Sequence, residues 1–335
     1  MAAETKKWNN TAKFVNVPII DVTKQNVVAL GPVVRGAIIG ADYIAIDFEL
    51  SGLGSRKRLN ATDIETRFSN TSSIAKTRSI ISFGLSMFKL FKNASSDSEF
   101  TFHVQTFNIL SLCSDDYIVE PASVKLLVEH GFDFNRQYLK GLSYHRGNDK
   151  VTKDDVPSSE DFVRQTFMEI IRHKKPIVLH NGFIDLVFMY QNLYAQLPTT
   201  VHTFAADLAE MFPNGIYDTK YISDYVCRKE ATFLEYVFRS QQRKNIIRAN
   251  NGKLPFVQLE FPTTSSSTFG SYVHYRPCDH ETLFVPFNSD LKLCPSFSNH
   301  GHCSEGKQCP MSHDIDQIGK KHDFKKRYDH IVGYL

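Results

Sequence analysis

The residues best placed to do chemistry in this chain lie in Tyr43-Ile-Ala-Ile-Asp-Phe-Glu-Leu-Ser-Gly-Leu-Gly54, where an apolar run leads directly into two carboxylates one residue apart. In a strand, positions i and i+2 share a face, so Asp47 and Glu49 point the same way near a strand's C-terminal end. Open α/β sheets tend to bind ligands at that edge. Two like charges so close repel unless a cation sits between them, and a hard divalent ion such as Mg²⁺ takes carboxylate oxygens and suits phosphate chemistry. By itself, D-x-E reads as two solvated acids at a strand end. A third acid, Asp185, follows the short apolar strand Pro176-Ile-Val-Leu-His180 in the sequence HNGFIDL, in the first turn of the next helix. An acid there is favourable with the helix dipole and needs no metal. If that strand runs parallel beside 43–47, however, Asp185 comes close to Asp47 and Glu49. His180 and Asn181 sit in the intervening turn, where satisfied polar residues are also common.

A second constellation is Cys294, Cys303, Cys309 and His313, spaced C-x8-C-x5-C-x3-H. Zn²⁺ takes four nitrogen or sulfur ligands in a tetrahedron, and three thiolates with one imidazole complete a closed structural site. Three of the six cysteines fall within sixteen residues, a clustering that favours metal over disulfides in a reducing compartment. Gly301 and Gly306 ease the turns between ligands. Cys113, Cys227 and Cys278 are expected to be ordinary core or loop thiols.

Positioning these groups requires strands that alternate with helices. Extended segment, helix and strand are predicted over 17–47, strands over 78–90 and 100–109, helices over 121–131 and about 160–174, a strand at 176–180, and one long amphipathic helix from 182 towards 198. The polar segment 145–161 reads as a loop. This order predicts an α/β domain with a mixed sheet, placed at 15–240. Residues 241–287, with the run TTSSSTFGS, are expected to be irregular linker, followed by the metal motif at 288–316 and a basic tail at 317–335. KKHDFKKR (320–327) is equally a solvated charge run and a nuclear import signal. With 42% hydrophobic and 22% charged residues and a net charge of +3, the composition is that of an ordinary globular chain and announces no polyanion partner. No apolar run reaches the ~20 residues of a membrane span, and MAAETKKWNN has no apolar stretch of a signal peptide, so no membrane partner and an intracellular site are expected.

The stretches IDFELSGLG, TRSIISFGLSMFK, EHGFDFNRQYLKGLSYH, VLHNGFIDLVFMYQNLYAQLP and IYDTKYIS resemble the DEDD exonuclease superfamily, specifically deadenylases of the PARN and Pop2 type. The resemblance implies an RNase-H-like fold with a mixed sheet, and two Mg²⁺ ions clamping the scissile phosphate of an RNA with a 3′ adenosine tail. Asp47, Glu49 and Asp185 match three of that family's four metal acids, and His180 and Asn181 fall where RNA contact is implied. The fourth acid, preceded by a base in H-x-A-G-x-D, is not found. His274 to Asp279 has the spacing, but Pro277 disfavours a helix interior. In a similar family member that segment lies beyond the metal motif, so this chain is read as lacking it. The metal motif is similar to CCCH zinc fingers, which stack single-stranded bases on aromatic rings. Phe297 occupies one such position, and the other aromatic positions are empty. The resemblance further implies a nuclear protein of Cajal bodies and speckles acting on small nuclear RNA 3′ ends. A second reading stays open: an RNA-binding adaptor with an incomplete nuclease site. The oligomeric state is not legible.

Overall fold

The computed structural model describes residues 16–91, 99–147, 162–251, 255–261, 272–277 and 291–319. The elements run β1 (Asn16–Val22), α1 (Val27–Gly40), β2 (Tyr43–Leu50), α2 (Arg56–Leu59), α3 (Ile64–Ala75), β3 (Ile80–Phe91), β4 (Glu99–Cys113), α4 (Pro121–Glu129), α5 (Phe134–Lys140), β5 (Leu142–Tyr144), α6 (Phe162–Arg172), β6 (Ile177–Leu179), α7 (Phe183–Met189), α8 (Val201–Met211), β7 (Ile216–Asp218), α9 (Thr219–Tyr221), α10 (Leu234–Asn251), β8 (Phe256–Glu260), β9 (Val273–Pro277) and α11 (Pro295–His300). The expected α/β architecture with a mixed sheet is present. Strand order is β7-β6-β2-β3-β4-β1-β9, with β5 and β8 both pairing β4. β2, β6 and β7 are mutually parallel, while β3 is antiparallel to β2 and to β4.

β2 reads Tyr-Ile-Ala-Ile-Asp-Phe-Glu-Leu, and its even-numbered residues, Ile44, Ile46, Phe48 and Leu50, are buried in the main core. That alternation turns the odd-numbered residues, Asp47 and Glu49 among them, to the other face. α1 and α6 pack on each other, α1 through Leu30, Val34 and Ile38 and α6 through Val163, Phe167 and Ile170, all buried. Apolar stripes at such spacing, covering a sheet, supply most of a domain's stability.

Three expectations need correction. The helix from 182 towards 198 is shorter: the α-helix ends at Met189 and a single π turn spans Tyr190–Tyr194. The wider turn lets fully buried Asn192 donate to the Phe188 carbonyl (2.9 Å) and meet the Tyr144 hydroxyl (3.2 Å), while Arg164 covers the carbonyls of Leu193 and Tyr194. The boundary near 240 falls inside α10. The expected linker supplies β8, which pairs β4 in parallel, and β9, which pairs β1 antiparallel. These short strands satisfy the edges of longer ones, so pairing partners rather than their own composition define them. The TTSSSTFGS run, most of the 145–161 loop, Cys278, Asp279 and the KKHDFKKR tail lie outside the described residues. His274 sits on β9, not in a helix, with Nε2 3.4 Å from Asp21. Among the described residues no helix is long and apolar enough to cross a membrane.

Tyr144 shows how tightly the sheet is tied to its helices. Its buried hydroxyl accepts from the Ile80 N–H (2.8 Å) and donates to the Ile80 carbonyl (3.0 Å). Tyr144→Phe leaves those groups and Asn192 short of a partner, and is expected to cost roughly 1–3 kcal/mol. A denaturant midpoint unchanged from the parent would refute this.

Candidate active site and metal centre

β2 carries Asp47 and Glu49 on one face, and β6 lies beside it in parallel register, Ile44 opposite Ile177 and Ala45 opposite Val178. The turn after β6 is left-handed at Asn181 (φ 61°) and leads into α7, whose first turn holds Asp185. These elements therefore place the three acids close enough to influence one another's ionisation. Burial is the first cause raising Asp47, Glu49 and Asp185 above ordinary carboxylate values. Mutual repulsion adds to it, Asp47 on Glu49 and both on Asp185, so that Glu49 and Asp185 rise to about 7. The Phe48 N–H partly relieves Asp47 and Asp185. Among the described residues none of the three acids has a Lys or Arg partner. Three desolvated, mutually repelling carboxylates without a protein counter-ion form a donor set that a divalent cation relieves.

A cleft of about 270 Å³ opens over Asp47 and Glu49, floored by Ser82, Gly84, Thr106 and Asn108 and walled by Leu127, His130 and Phe132. His130 was not singled out from sequence, although HGFDFN contained it. Its Nδ1 lies 2.8 Å from the Leu126 carbonyl, so that nitrogen carries the proton. The imidazole faces Glu49 closely enough to lower its pKa in part. Below the cleft, Ser82 bonds Asn108, Asn108 donates to Asp21 (2.9 Å), and Arg136 pairs Asp21 at 2.6 Å.

Two further acids organise the rim without joining the cluster. Asp218, at the end of β7, accepts from the backbone N–H groups of Asn181, Gly182, Lys220 and Tyr221. Burial pushes its carboxyl up, but these donors outweigh that and hold it below its usual value. Asp218 thus fixes the turn that presents Asp185. His180 is pinned in the same turn, Nδ1 2.9 Å from the Thr219 hydroxyl, and burial lowers its pKa. The Asn181 residue is exposed. Glu120 accepts from the N–H groups of Leu53 and Gly54 and from the Arg78 guanidinium, clamping the loop that follows the D-x-E strand. Gly54 sits at φ 69°, a conformation that disfavours other residues.

The raised acids set a pH dependence. Unfolded, Glu49 and Asp185 ionise near 4.5 and 3.8; folded, near 7. Between those values the folded chain holds more protons, so stability falls as pH rises from about 4 through 7 and levels off above. Asp185→Asn is expected to remove a share on the order of 1–2 kcal/mol after allowing for solvent screening. Unfolding midpoints at pH 5 and pH 8 without divalent ions, compared between parent and variant, measure it. Identical slopes would contradict the assignment. The lowered His180 acts in the opposite sense, and cancels in that comparison.

Cys294, Cys303, Cys309 and His313 converge, their ligand atoms all within 4.8 Å of one another. His313 Nε2 is buried without a hydrogen-bond partner, and the Phe297 N–H first among several donors lowers the Cys294 thiol. An orphaned imidazole nitrogen among three thiols fits a tetrahedral Zn²⁺. Gly301 (φ 68°) and Gly306 (φ 52°) make the turns as expected. Phe297, expected as a base-stacking ring, is half-buried and has contacts inside the chain. It stacks on His313 (4.4 Å, 11°) and meets Phe233 edge-on at 5.8 Å. The motif is also docked rather than free: Ile315 and Ile318 bury with Ala231 and Tyr236. Arg239 of α10, 3% exposed, makes a two-pronged pair with Asp316 at 2.8 and 2.9 Å. Cys113 is buried and Cys227 exposed, both apart from the cluster.

The sequence pattern of the CAF1 family ribonucleases matches residues 22–162 and 153–282. This chain belongs to the CAF1 ribonuclease family. It is 40% identical over 73 residues to the pre-piRNA 3′-exonuclease trimmer of Bombyx mori, 21% of this chain and 13% of that protein. It is 28% identical over 133 residues to the poly(A)-specific ribonuclease PARN of Danio rerio, 37% of this chain and 20% of that one. The matches thus span a fifth or less of these relatives. Among solved structures, the Mg²⁺- and Mn²⁺-bound form of S. pombe Pop2p aligns with a TM-score of 0.48 and 17% identity over 67% of this chain and 82% of that one.

Proposed function

We propose that this CAF1-family chain is a Mg²⁺-dependent 3′-to-5′ exoribonuclease that removes 3′ adenosine tails. The observation that carries the reading is the mutual electrostatic influence of Asp47 and Glu49 on β2 and Asp185 at the start of α7, with two of them raised to about 7. Relatives named as a 3′-exonuclease and as a poly(A)-specific ribonuclease support the reaction class and the substrate. Asp47, Glu49 and Asp185 would hold the metal, which when bound stabilises charge on the phosphate and makes water a stronger nucleophile. Asp218 keeps the Asp185 turn in place, and the Asp21–Asn108–Ser82 chain braces the cleft floor. Hydrolysis forms a bond from water oxygen to phosphorus and breaks the bond to the preceding 3′ oxygen, releasing 5′-AMP.

The Cys₃His cluster is proposed as a structural zinc site. Small nuclear RNA 3′ ends and a nuclear site of action complete the proposal; they are supported by the family resemblance and by the basic run 320–327.

A 5′-labelled RNA ending in adenosines tests the reaction: laddering from the 3′ end with Mg²⁺ supports it. RNA binding without laddering supports the second reading, an RNA-binding adaptor. That reading draws on one observation: among the described residues the charged neighbours that shift the three acids are one another and His130, with no fourth carboxylate.

A further inference from the structure

The parallel strands β2, β6 and β7 end on the same sheet edge, and each is followed by a different chemistry. After β6 comes the turn to Asp185. After β7 comes Tyr221, and one helical turn on, Tyr225. These rings stack on each other at 4.9 Å with planes 26° apart, yet they are 59% and 67% exposed. Val226 beside them is 69% exposed. Large exposed apolar side chains grouped at one place mark binding surfaces more often than isolated ones do. Their backbone is held rigidly: the Asp218 carboxylate that accepts from Tyr221 N–H also accepts from Asn181 and Gly182 N–H. One side chain therefore ties the aromatic pair to the turn presenting Asp185. Residues 222–226 form a π turn, a widening found often at functional sites.

After β2, past the loop clamped by Glu120, comes α2 with Arg56, Lys57 and Arg58, all exposed. Among the described residues no carboxylate pairs with them. α2 is itself pinned, the Arg58 carbonyl accepting from the Asn70 side chain (3.1 Å) and the Ala61 carbonyl from Arg67 (2.9 Å). Three unpaired cations on a fixed turn that follows β2, and a fixed pair of stacked rings that follows β7, select a ligand with a repeating anionic backbone and planar bases. A folded protein partner would have no reason to combine the two.

We propose that this edge is a track for single-stranded RNA, in which Tyr221 and Tyr225 stack bases and Arg56, Lys57 and Arg58 neutralise backbone phosphates. The inference rests on the nuclease reading and names how its substrate is held. Base–aromatic stacking is tolerant of sequence, whereas cation contacts appear as salt dependence.

The test measures binding of a labelled ten-adenosine RNA, and of an abasic ribose-phosphate strand of equal length, in an Asp47→Ala background. Tyr221→Ala with Tyr225→Ala is expected to weaken the adenosine strand about tenfold or more and leave the abasic strand unchanged. Tyr221→Leu with Tyr225→Leu keeps the apolar cover of the turn and should weaken it equally, which separates ring loss from misfolding. Replacing Arg56, Lys57 and Arg58 with alanine should weaken both strands and flatten the salt slope by up to about two. Equal weakening of both strands by the tyrosine changes, or an unchanged salt slope in the triple variant, overturns the track. Laddering by the parent chain with no effect of these variants overturns the track and leaves the nuclease reading standing. No affinity of the parent for either strand overturns both.

Discussion

Asp47→Ala is expected to lower the rate of 3′ nucleotide release by on the order of 10³-fold or more. The argument is electrostatic. Asp47 is the neighbour that raises both Glu49 and Asp185, so its carboxylate is the shared member of the cluster and its loss weakens the cation site as a whole. Residues that act as a unit are strongly non-additive. Asp47→Ala combined with Asp185→Asn should therefore be hardly slower than either change alone. RNA affinity without divalent ions should hold or rise, because a negative charge facing the phosphate has been removed. The measurement is single-turnover degradation of a 5′-labelled adenosine-tailed RNA across a Mg²⁺ titration. A variant within tenfold of the parent at saturating Mg²⁺ would remove Asp47 from the reaction.

Asp316→Ala carries the second large effect, on stability. Arg239 is almost wholly buried, and the substitution removes both prongs of its carboxylate pair. Breaking a buried pair from one side costs about 3–5 kcal/mol, because the remaining charge loses compensation. Among the described residues the apolar contact between the Cys₃His segment and the start of α10 is small, four buried residues with three more packed against them, so it has little reserve to absorb that loss. The loosening should reach further than the finger. Asn245 of α10 exchanges hydrogen bonds with the Val257 backbone of β8, and β8 extends the main sheet along β4. Hydrogen exchange in α10 and β8 is expected to quicken in the variant, and, on the proposal that the Cys₃His cluster holds zinc, also when the parent is treated with a chelator. A compensated pair, Arg239→Met with Asp316→Leu, should recover most of the stability, as apolar replacements of buried ion pairs often do. An Asp316→Ala melting curve that overlays the parent would show that the Cys₃His segment is not anchored through this pair.

The D-x-E face, the acid at the start of the helix after β6 and the four metal-type ligands were all legible in the sequence, because each depends on local periodicity or spacing: two residues per strand repeat, one helical turn, fixed gaps between ligands. Local rules of that kind stop at the next chain crossing. Nothing near Glu120 says that it will close on Gly54 and Arg78, 66 and 42 residues away. His130 was visible as a helix-end residue and not as a neighbour of Glu49. Asp316 and Arg239 are 77 residues apart. The polar stretch beyond 240 concealed two strands, because β8 and β9 owe their form to the open edges of β4 and β1. Phe297 could be read as an aromatic ring in the metal motif, but not as the neighbour of His313 and Phe233 that the fold makes it. Residue type and local periodicity set which groups could do chemistry and on which face of their own element they stand. The tertiary structure decided which of them meet, since burial, repulsion and pairing between distant segments act only once the sheet has set its register.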